Sequence, residues 1–277
     1  MSDTTSQTCL RVVHHLSATG GTVISRAIAA LPSTYLLSEL HPRHVQGLYF
    51  NPLDPLQQFM AQYSRNEPTL GLDLDCAFAE RLNPVVQAVE DSAGYLVLRD
   101  HSHSDWLVST PGTQCSLLSA LSGRWPIRSI LTLRHPVEAY ASMMTRNWHL
   151  GVGSFNEYCR RVLSFVEHFA ETPMFHYEDF VDDPDHVLKQ IAEALELPFS
   201  SQWRTTFETI SLTGNSGRAG KSSEIGPLPM RDVTIKLREG AMKSEAYSTL
   251  CQRFGYTHDP IDLYHQRLQR ARQAGGA

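Results

Sequence analysis

Short apolar runs, several of them rich in β-branched residues, alternate along most of the chain with stretches whose apolar residues recur at the helical period. The short runs predict five strands, at Leu10–His15, Thr34–Leu37, Tyr95–Arg99, Ile127–Leu133 and Pro173–His176. Strands that alternate with helices are typical of a parallel sheet covered by helices on both faces. The pattern therefore predicts an α/β fold with a central parallel sheet flanked by helices.

The helical stretches lie between and after these strands. Pro136 stands at an early helical position, and Ser154 is a predicted N-cap with Glu157 three residues further on. Pro84 is expected to interrupt or kink its helix. The predicted helices are Thr22–Leu31, Asp73–Asp91, Pro136–Arg146, the residues from Ser154 to Glu171, Pro184–Leu195 and Asp259–Gln273.

Composition narrows the class of protein. At 277 residues the chain is long enough for one large α/β domain or two small ones. Its 24 lysines and arginines against 29 aspartates and glutamates give a net charge of −5, which argues against a protein that coats nucleic acid.

No apolar run is long enough to span a bilayer, and the polar start Met1–Thr8 lacks a signal pattern, so we expect a cytoplasmic protein. The five scattered cysteines form no CxxC or CxxH pair, so neither a disulfide framework nor a metal site is expected.

The residues that follow each strand are candidates for ligand binding, because ligands bind to such sheets at the carboxyl ends of the strands. The loop Ser17–Thr22, with the sequence SATGGT, follows the first strand and runs directly into a helix. Its glycines and short hydroxyl residues let backbone N–H groups approach an anion, although an ordinary strand-to-helix turn also favours glycine. The loop lacks both the Gly-Lys-Ser/Thr ending of a Walker loop and the GxGxxG pattern of a dinucleotide loop.

Two further strand ends carry basic residues. The third strand leads into Arg99 and His101, with His103 two residues later. A histidine at this place suits proton transfer near neutral pH, although a chain with 13 histidines must use most of them for packing or at the surface. The fourth strand leads into Arg134, whose planar guanidinium suits a phosphate or a local carboxylate. Ser142 lies on the next helix, on an arc away from the apolar stripe, so its hydroxyl is expected to be available to a ligand.

A glycine-rich basic segment at residues 214–221 contains Ser216 and Arg218 and has no apolar periodicity. It predicts a loop that is either a solvated surface or a lid that closes on an anionic ligand. It follows the segment Tyr177–Phe180, with the sequence YEDF, which comes directly after the fifth strand.

In their order along the chain, these features resemble the sulfotransferases that use 3′-phosphoadenosine-5′-phosphosulfate (PAPS). The resemblance extends over about residues 10–260 and implies a single domain, residues 1–277, with a P-loop NTPase-like sulfotransferase architecture. It implies that Arg99 and His101 stand where the family has a lysine and a catalytic histidine, and that YEDF is scaffold. The residues that it implies for binding the nucleotide are Ser17, Ala18, Thr19, Gly20, Gly21, Thr22, Arg134, Ser142, Ser216 and Arg218.

Ala18 departs from the family pattern, because this place usually holds a lysine or arginine that contacts the sulfuryl group. Either Arg99 or Arg26 supplies the charge instead, or the loop relies on its backbone N–H groups, or the activity is lost. We rank Arg99 above Arg26, since Arg99 leaves a strand end while Arg26 sits about one turn inside a helix.

The resemblance implies transfer of a sulfuryl group from PAPS to a hydroxyl of a small-molecule or saccharide acceptor, with no nucleic-acid and no membrane partner. His101 is the expected general base, with His103 and Glu39 as alternatives. Two other interpretations stay open: a nucleotide-dependent kinase on a P-loop-like scaffold, and a homologue that binds the nucleotide without catalysis. The irregular segments 41–72, 101–113 and 147–155 are expected to form the acceptor pocket, and the helix Asp259–Gln273 to be a solvated face or a homodimer contact.

Overall fold

One parallel sheet forms the centre of the protein. The computed structural model describes residues 8–43, 73–212, 225–226, 230–231 and 233–274. Its strands are β1 (Leu10–His15), β2 (Thr34–Leu40), β3 (Tyr95–Asp100), β4 (Ile127–Leu133) and β5 (Met174–His176). They pair in the order β2-β3-β1-β4-β5, and each pairing is parallel. The α/β fold with a central parallel sheet is therefore confirmed.

Helices follow the strands much as the periodicity predicted. The helices of the described residues are α1 (Gly21–Ala29), α2 (Leu74–Asp91), α3 (His103–Trp106), α4 (Ser116–Leu121), α5 (Pro136–Met144), α6 (Phe155–His168), α7 (Tyr177–Asp182), α8 (Pro184–Ala194), α9 (Trp203–Phe207), α10 (Ile235–Met242), α11 (Glu245–Phe254) and α12 (Pro260–Ala274). Pro84 is expected from the sequence to interrupt or kink its helix; the helix is not interrupted, since α2 continues from Leu74 to Asp91 with Pro84 inside it. The predicted cap of α6 does form, since the Ser154 hydroxyl accepts a hydrogen bond from the Glu157 N–H at 3.2 Å.

The sheet is buried between two hydrophobic clusters. Successive side chains of a strand point to opposite faces, so Val12 of β1 packs into one cluster and Val13 into the other. Leu82 and Val86 of α2 cover the first face, while Ile24 of α1 covers the second. Burial on both faces leaves the strand ends as the accessible parts of the sheet, and β1, β2 and β3 end side by side.

Strand β2 extends three residues further than predicted, to Leu40. Its register with β3 shifts between Leu37 and Leu40. Within this irregularity Glu39 adopts a left-handed backbone with a φ of 62°. An irregularity of this kind redirects a side chain at the edge of a sheet, and here it brings the Glu39 carboxylate to the end of β3.

The C-terminal helix α12 is exposed along much of its length, as predicted for a solvated face, but one of its arginines is buried. Arg267 is only 8% exposed, because its guanidinium pairs with Glu138 and Glu178, each at 3.3 Å. Arg270 forms an exposed ion pair with Asp182 at 2.8 Å. Packing of α12 against α5 and α7 thus buries one arginine that the local sequence pattern assigned to solvent. No helix in the described part of the chain combines the length and apolarity needed to cross a bilayer.

Candidate active site

The loop between β1 and α1 leaves no room for a side chain at two places. Gly20 has a φ of 86°, and a Cβ atom there would lie 2.1 Å from the Tyr177 ring. A Cβ atom at Gly21 would lie 2.3 Å from the His15 ring. Ala18 also has a left-handed backbone, with a φ of 63°. The GG pair of the sequence is thus needed for close packing of two aromatic rings, and the loop turns sharply into the N-terminus of α1.

Thr19 closes this loop internally. Its hydroxyl donates a hydrogen bond to the Leu16 carbonyl at 2.7 Å, and its backbone N–H donates to the same oxygen at 3.4 Å. The side chain is buried. In this conformation the hydroxyl stabilises the loop, and binding of the nucleotide by Thr19 stays a prediction.

Arg99 joins three strand ends. Its Nε donates to His15 Nε2 of β1 at 2.7 Å, and its Nη1 donates to the Ser38 hydroxyl of β2 at 2.9 Å. Its Nη2 donates to the Thr22 hydroxyl at 2.9 Å and lies 2.7 Å from Glu39 Oε1. The guanidinium is therefore held directly beneath the loop Ser17–Thr22, although the side chain is only 2% exposed.

Glu39 connects Arg99 to the expected base. Its other carboxylate oxygen, Oε2, lies 3.1 Å from His101 Nε2. The opposite nitrogen of that ring, Nδ1, lies 2.6 Å from the Ser104 hydroxyl. The His103 ring packs against the His101 ring with 3.6 Å between their centroids. All three candidate bases thus lie together at the carboxyl end of β3.

The electrostatics of this cluster follow from its burial. Desolvation, and after it the Arg99 charge, hold the pKa of His15 well below its ordinary value. A neutral His15 donates from Nδ1 to the Leu16 carbonyl at 3.0 Å and accepts from Arg99 at Nε2. Burial also raises the pKa of Glu39, while Arg99 opposes that rise. Burial lowers the pKa of Arg99, and Glu39 acts in the opposite direction. A guanidinium nonetheless stays charged near neutral pH.

Arg134 lies on the other side of the loop. Its Nη1 donates to the Ala18 carbonyl at 3.3 Å, and its guanidinium lies over the Tyr177 ring at 4.7 Å. It also pairs with the buried Glu138, one helical turn along, at 3.6 Å. In this structure Arg134 therefore pairs with a local carboxylate, one of the two partners that the sequence analysis considered for it. The spacing of four residues between Arg134 and Glu138 is typical of such a pair.

Behind Arg134 lies a network that the sequence did not predict. Glu138 and Glu178 share Arg267, and the Glu178 carboxylate accepts a hydrogen bond from the His135 N–H at 2.9 Å. Tyr177 and Glu178 belong to the YEDF segment, which therefore supports both the loop and Arg134. This arrangement agrees with the interpretation of YEDF as scaffold.

Ser142 is half-buried on α5, two turns beyond Arg134. Its backbone carbonyl accepts a hydrogen bond from the Thr145 hydroxyl at 2.8 Å. None of the contacts found between described residues joins Arg134 to Ser142, so the structure does not bring this predicted pair together directly.

Arg26 does not take part in the cluster. Its guanidinium donates to the Phe207 and Ile210 carbonyls at 2.9 and 3.1 Å and packs on the Phe207 ring. Of the two arginines, Arg99 is therefore the one that contacts the loop Ser17–Thr22, through the Thr22 hydroxyl. Ser216 and Arg218, together with residues 44–72 of the expected acceptor pocket, lie outside the described residues.

Sequence analysis also missed a buried group behind the site. Asp100 Oδ2 lies 2.8 Å from His14 Nδ1 and accepts from the Ser102 hydroxyl at 2.6 Å. Cys115 Sγ lies 3.5 Å from the same oxygen. The group fixes the ends of β1 and β3 to each other, and only the pairing of those strands reveals it. A cavity of about 490 Å³ between Trp125 and Pro173 lies at the opposite, amino ends of β4 and β5, away from the cluster.

Comparison with known proteins gives a structural match but no sequence match. No family model matches the sequence, and no curated protein matches it. The sulfotransferase domain of the Synechococcus PCC 7002 olefin synthase is 17% identical, with a TM-score of 0.55 over 92% of this chain and 98% of that domain. A sulfotransferase from Alicyclobacillus acidocaldarius is 12% identical, with a TM-score of 0.46 over 89% of this chain and 96% of its own. The sulfotransferase STF9 from Mycobacterium avium is 15% identical, with a TM-score of 0.48 over 93% and 79%.

The fold assignment rests on the first of these structures, the Synechococcus domain, since the similarity covers nearly the whole of both chains. At this identity the similarity shows the fold alone. Together with the parallel sheet and the glycine loop that leads into α1, it establishes that the chain has the sulfotransferase fold.

Proposed function

We propose that this protein transfers a sulfuryl group from PAPS to a hydroxyl of an acceptor. The observation that carries the proposal is the position of Arg99, whose Nη2 lies 2.9 Å from the Thr22 hydroxyl and 2.7 Å from Glu39. A cation and a carboxylate–histidine pair converge at the anion-binding loop, although Ala18 occupies the usual place of the cation. This substitution of one cation for another argues against the homologue without catalysis.

The two ends of the nucleotide would be held by different groups. The loop Ser17–Thr22 and the first turn of α1 present backbone N–H groups to the phosphosulfate. Arg134 would bind the 3′-phosphate with Ser142, and its guanidinium would then be shared between that phosphate and Glu138. Ser216 and Arg218 are proposed to reach the same phosphate from the loop 214–221.

In the transfer step the acceptor oxygen forms a bond to sulfur as the bond from sulfur to the phosphate oxygen breaks. The acceptor proton passes to the imidazole of His101, and the Glu39 carboxylate, 3.1 Å from Nε2, stabilises the resulting imidazolium. Charge that develops on the departing phosphate is met by the loop N–H groups and by Arg99. Arg99 acts through Thr22, because a hydroxyl that accepts from a guanidinium becomes a stronger donor to an anion. Glu39 and His103 are the alternative bases.

Ligand binding separates this function from its competitors. The protein is expected to be stabilised against heat by 3′,5′-diphosphoadenosine (PAP) and not by ATP with magnesium. Preference for ATP would favour the kinase. Binding of PAP without sulfuryl transfer to any of a panel of phenols, alcohols and saccharides would favour the homologue without catalysis.

Substitution of Arg99 tests the mechanism. Arg99→Met should lower sulfuryl transfer about 10²- to 10³-fold, the usual effect of removing one group that stabilises a developing anion. Arg26→Met is the matched control, since it removes a guanidinium of α1 that donates to the Phe207 and Ile210 carbonyls and does not touch the cluster. Arg99→Lys keeps the charge with fewer donors and should be intermediate. Equal activity of the Met variants, with both still binding PAP, would refute the role of Arg99.

The acceptor class, a small molecule or saccharide, is part of this proposal, and so are the cytoplasmic location and the homodimer contact through α12. The single domain of residues 1–277 also stays a prediction.

A further inference from the structure

Three side chains at the end of β3 offer ligand atoms that could hold one metal ion, although the sequence analysis expects no metal site. The ligand atoms of Glu39, His101 and His103 all lie within 4.8 Å of one another. Two of them, Glu39 Oε2 and His101 Nε2, are 3.1 Å apart. Two ligand atoms bound to one tetrahedral zinc ion at usual bond lengths are separated by about 3.3 Å. We propose that this cluster binds a divalent zinc-type cation.

The donor set suits this kind of ion. Two imidazoles and one carboxylate are a common set of three protein ligands in zinc sites with an open fourth position. All three side chains are partly exposed, so an ion can enter and a water molecule can complete the coordination. The histidine–carboxylate composition disfavours magnesium and calcium, which prefer oxygen ligands.

Ser104 provides the outer support that such a site needs. A histidine that binds a metal through one nitrogen usually donates from the other to a fixed acceptor. The Ser104 hydroxyl lies 2.6 Å from His101 Nδ1. When the ion occupies Nε2, a neutral His101 carries its proton on Nδ1 and donates it to Ser104. The ion then lies between His101 Nε2 and Glu39 Oε2, where a hydrogen bond would otherwise join the two side chains.

The charge of Arg99 limits the affinity of the site. Its Nη2 lies 2.7 Å from Glu39 Oε1, so a cation on Oε2 shares the carboxylate with a guanidinium. Because the guanidinium repels the ion, we expect the ion to bind weakly enough to be removed by a chelator. The ion also occupies the imidazole and the carboxylate that are proposed to receive and stabilise the acceptor proton, so it inhibits sulfuryl transfer. This inhibition rests on the proposed function, whereas binding of the ion does not.

Cobalt(II) is a suitable spectroscopic probe for the site. Titration of the full chain with cobalt(II) should produce the visible absorption of a tetrahedral complex, and added zinc should remove it. His103→Ala and Glu39→Gln should abolish this absorption, and Ser104→Ala should weaken binding about 10- to 100-fold. His186→Ala, which removes an exposed histidine on α8, is the matched control and should bind as the wild type does. Circular dichroism and PAP binding verify that each variant is folded.

Two results would overturn the inference. One is the absence of a tetrahedral cobalt spectrum in a protein that circular dichroism shows to be folded, whether or not it binds PAP. The other is a spectrum with a thiolate charge-transfer band that Cys115→Ala removes, since this would move the ion to the buried His14, Asp100 and Cys115. Cobalt binding in a protein that fails to bind PAP would leave the metal site standing and refute the proposed function instead.

Discussion

The buried Glu178 makes stability depend on pH in a direction opposite to that of most carboxylates. Burial, together with the Glu138 charge, raises the pKa of Glu178 to about 7 from an ordinary value of 4.5, while the hydrogen bond from His135 and the charges of Arg134 and Arg267 oppose the rise. Between these two values the folded protein binds a proton that the unfolded chain has lost. The free energy of unfolding therefore falls as the pH rises through this window.

The size of the effect follows from the shift. A difference of this size between the folded and unfolded pKa corresponds to about 3 kcal/mol in the free energy of unfolding. This stabilisation is fully present below the unfolded pKa and is lost above the folded pKa. Glu178→Gln keeps an oxygen to accept from the His135 N–H and cannot ionise. Relative to the wild type, the variant should gain stability from about pH 5 to about pH 8, by up to about 3 kcal/mol.

Urea unfolding followed by tryptophan fluorescence measures this difference at each pH. The titration of His135, whose pKa burial lowers to about 4, occurs in both proteins and cancels to a first approximation. Glu193→Gln, which neutralises an exposed carboxylate on α8, is the control and should show no such trend. A difference between Glu178→Gln and wild type that stays constant or shrinks with rising pH would contradict the assignment of the raised pKa to Glu178.

Two further substitutions test the loop and the arginine beside it. Gly20→Ala should destabilise the protein more than Gly123→Ala. Both glycines have a left-handed backbone, which costs about 1–2 kcal/mol for alanine, but only Gly20 also faces a ring, that of Tyr177. Equal melting temperatures of the two variants would contradict the close approach of Gly20 to Tyr177. Arg134→Met should weaken binding of PAP about 10- to 100-fold and leave binding of 5′-AMP nearly unchanged, since only PAP carries a 3′-phosphate. Calorimetry measures both affinities, and equal losses for the two nucleotides would show that Arg134 does not bind the 3′-phosphate.

Local sequence determined the elements and the candidates. Apolar runs and helical periodicity identify β1 and β4 with their observed bounds, because burial of a strand or a helix face leaves a repeating pattern in the sequence. The glycines of the loop Ser17–Thr22 identify a turn that tolerates left-handed backbone. The order of strand-end residues was enough to predict the sulfotransferase fold, which the structure confirms.

The tertiary structure alone decided which of these residues meet. The sheet order places β1 between β3 and β4, and this puts Arg99 beneath Thr22, which lies far from it along the chain. The irregularity in β2 directs Glu39 toward His101, and the docking of α12 buries Arg267 against Glu138. Periodicity records whether a residue is buried, but the partner of a buried charge depends on strand register and helix packing, which no local pattern encodes.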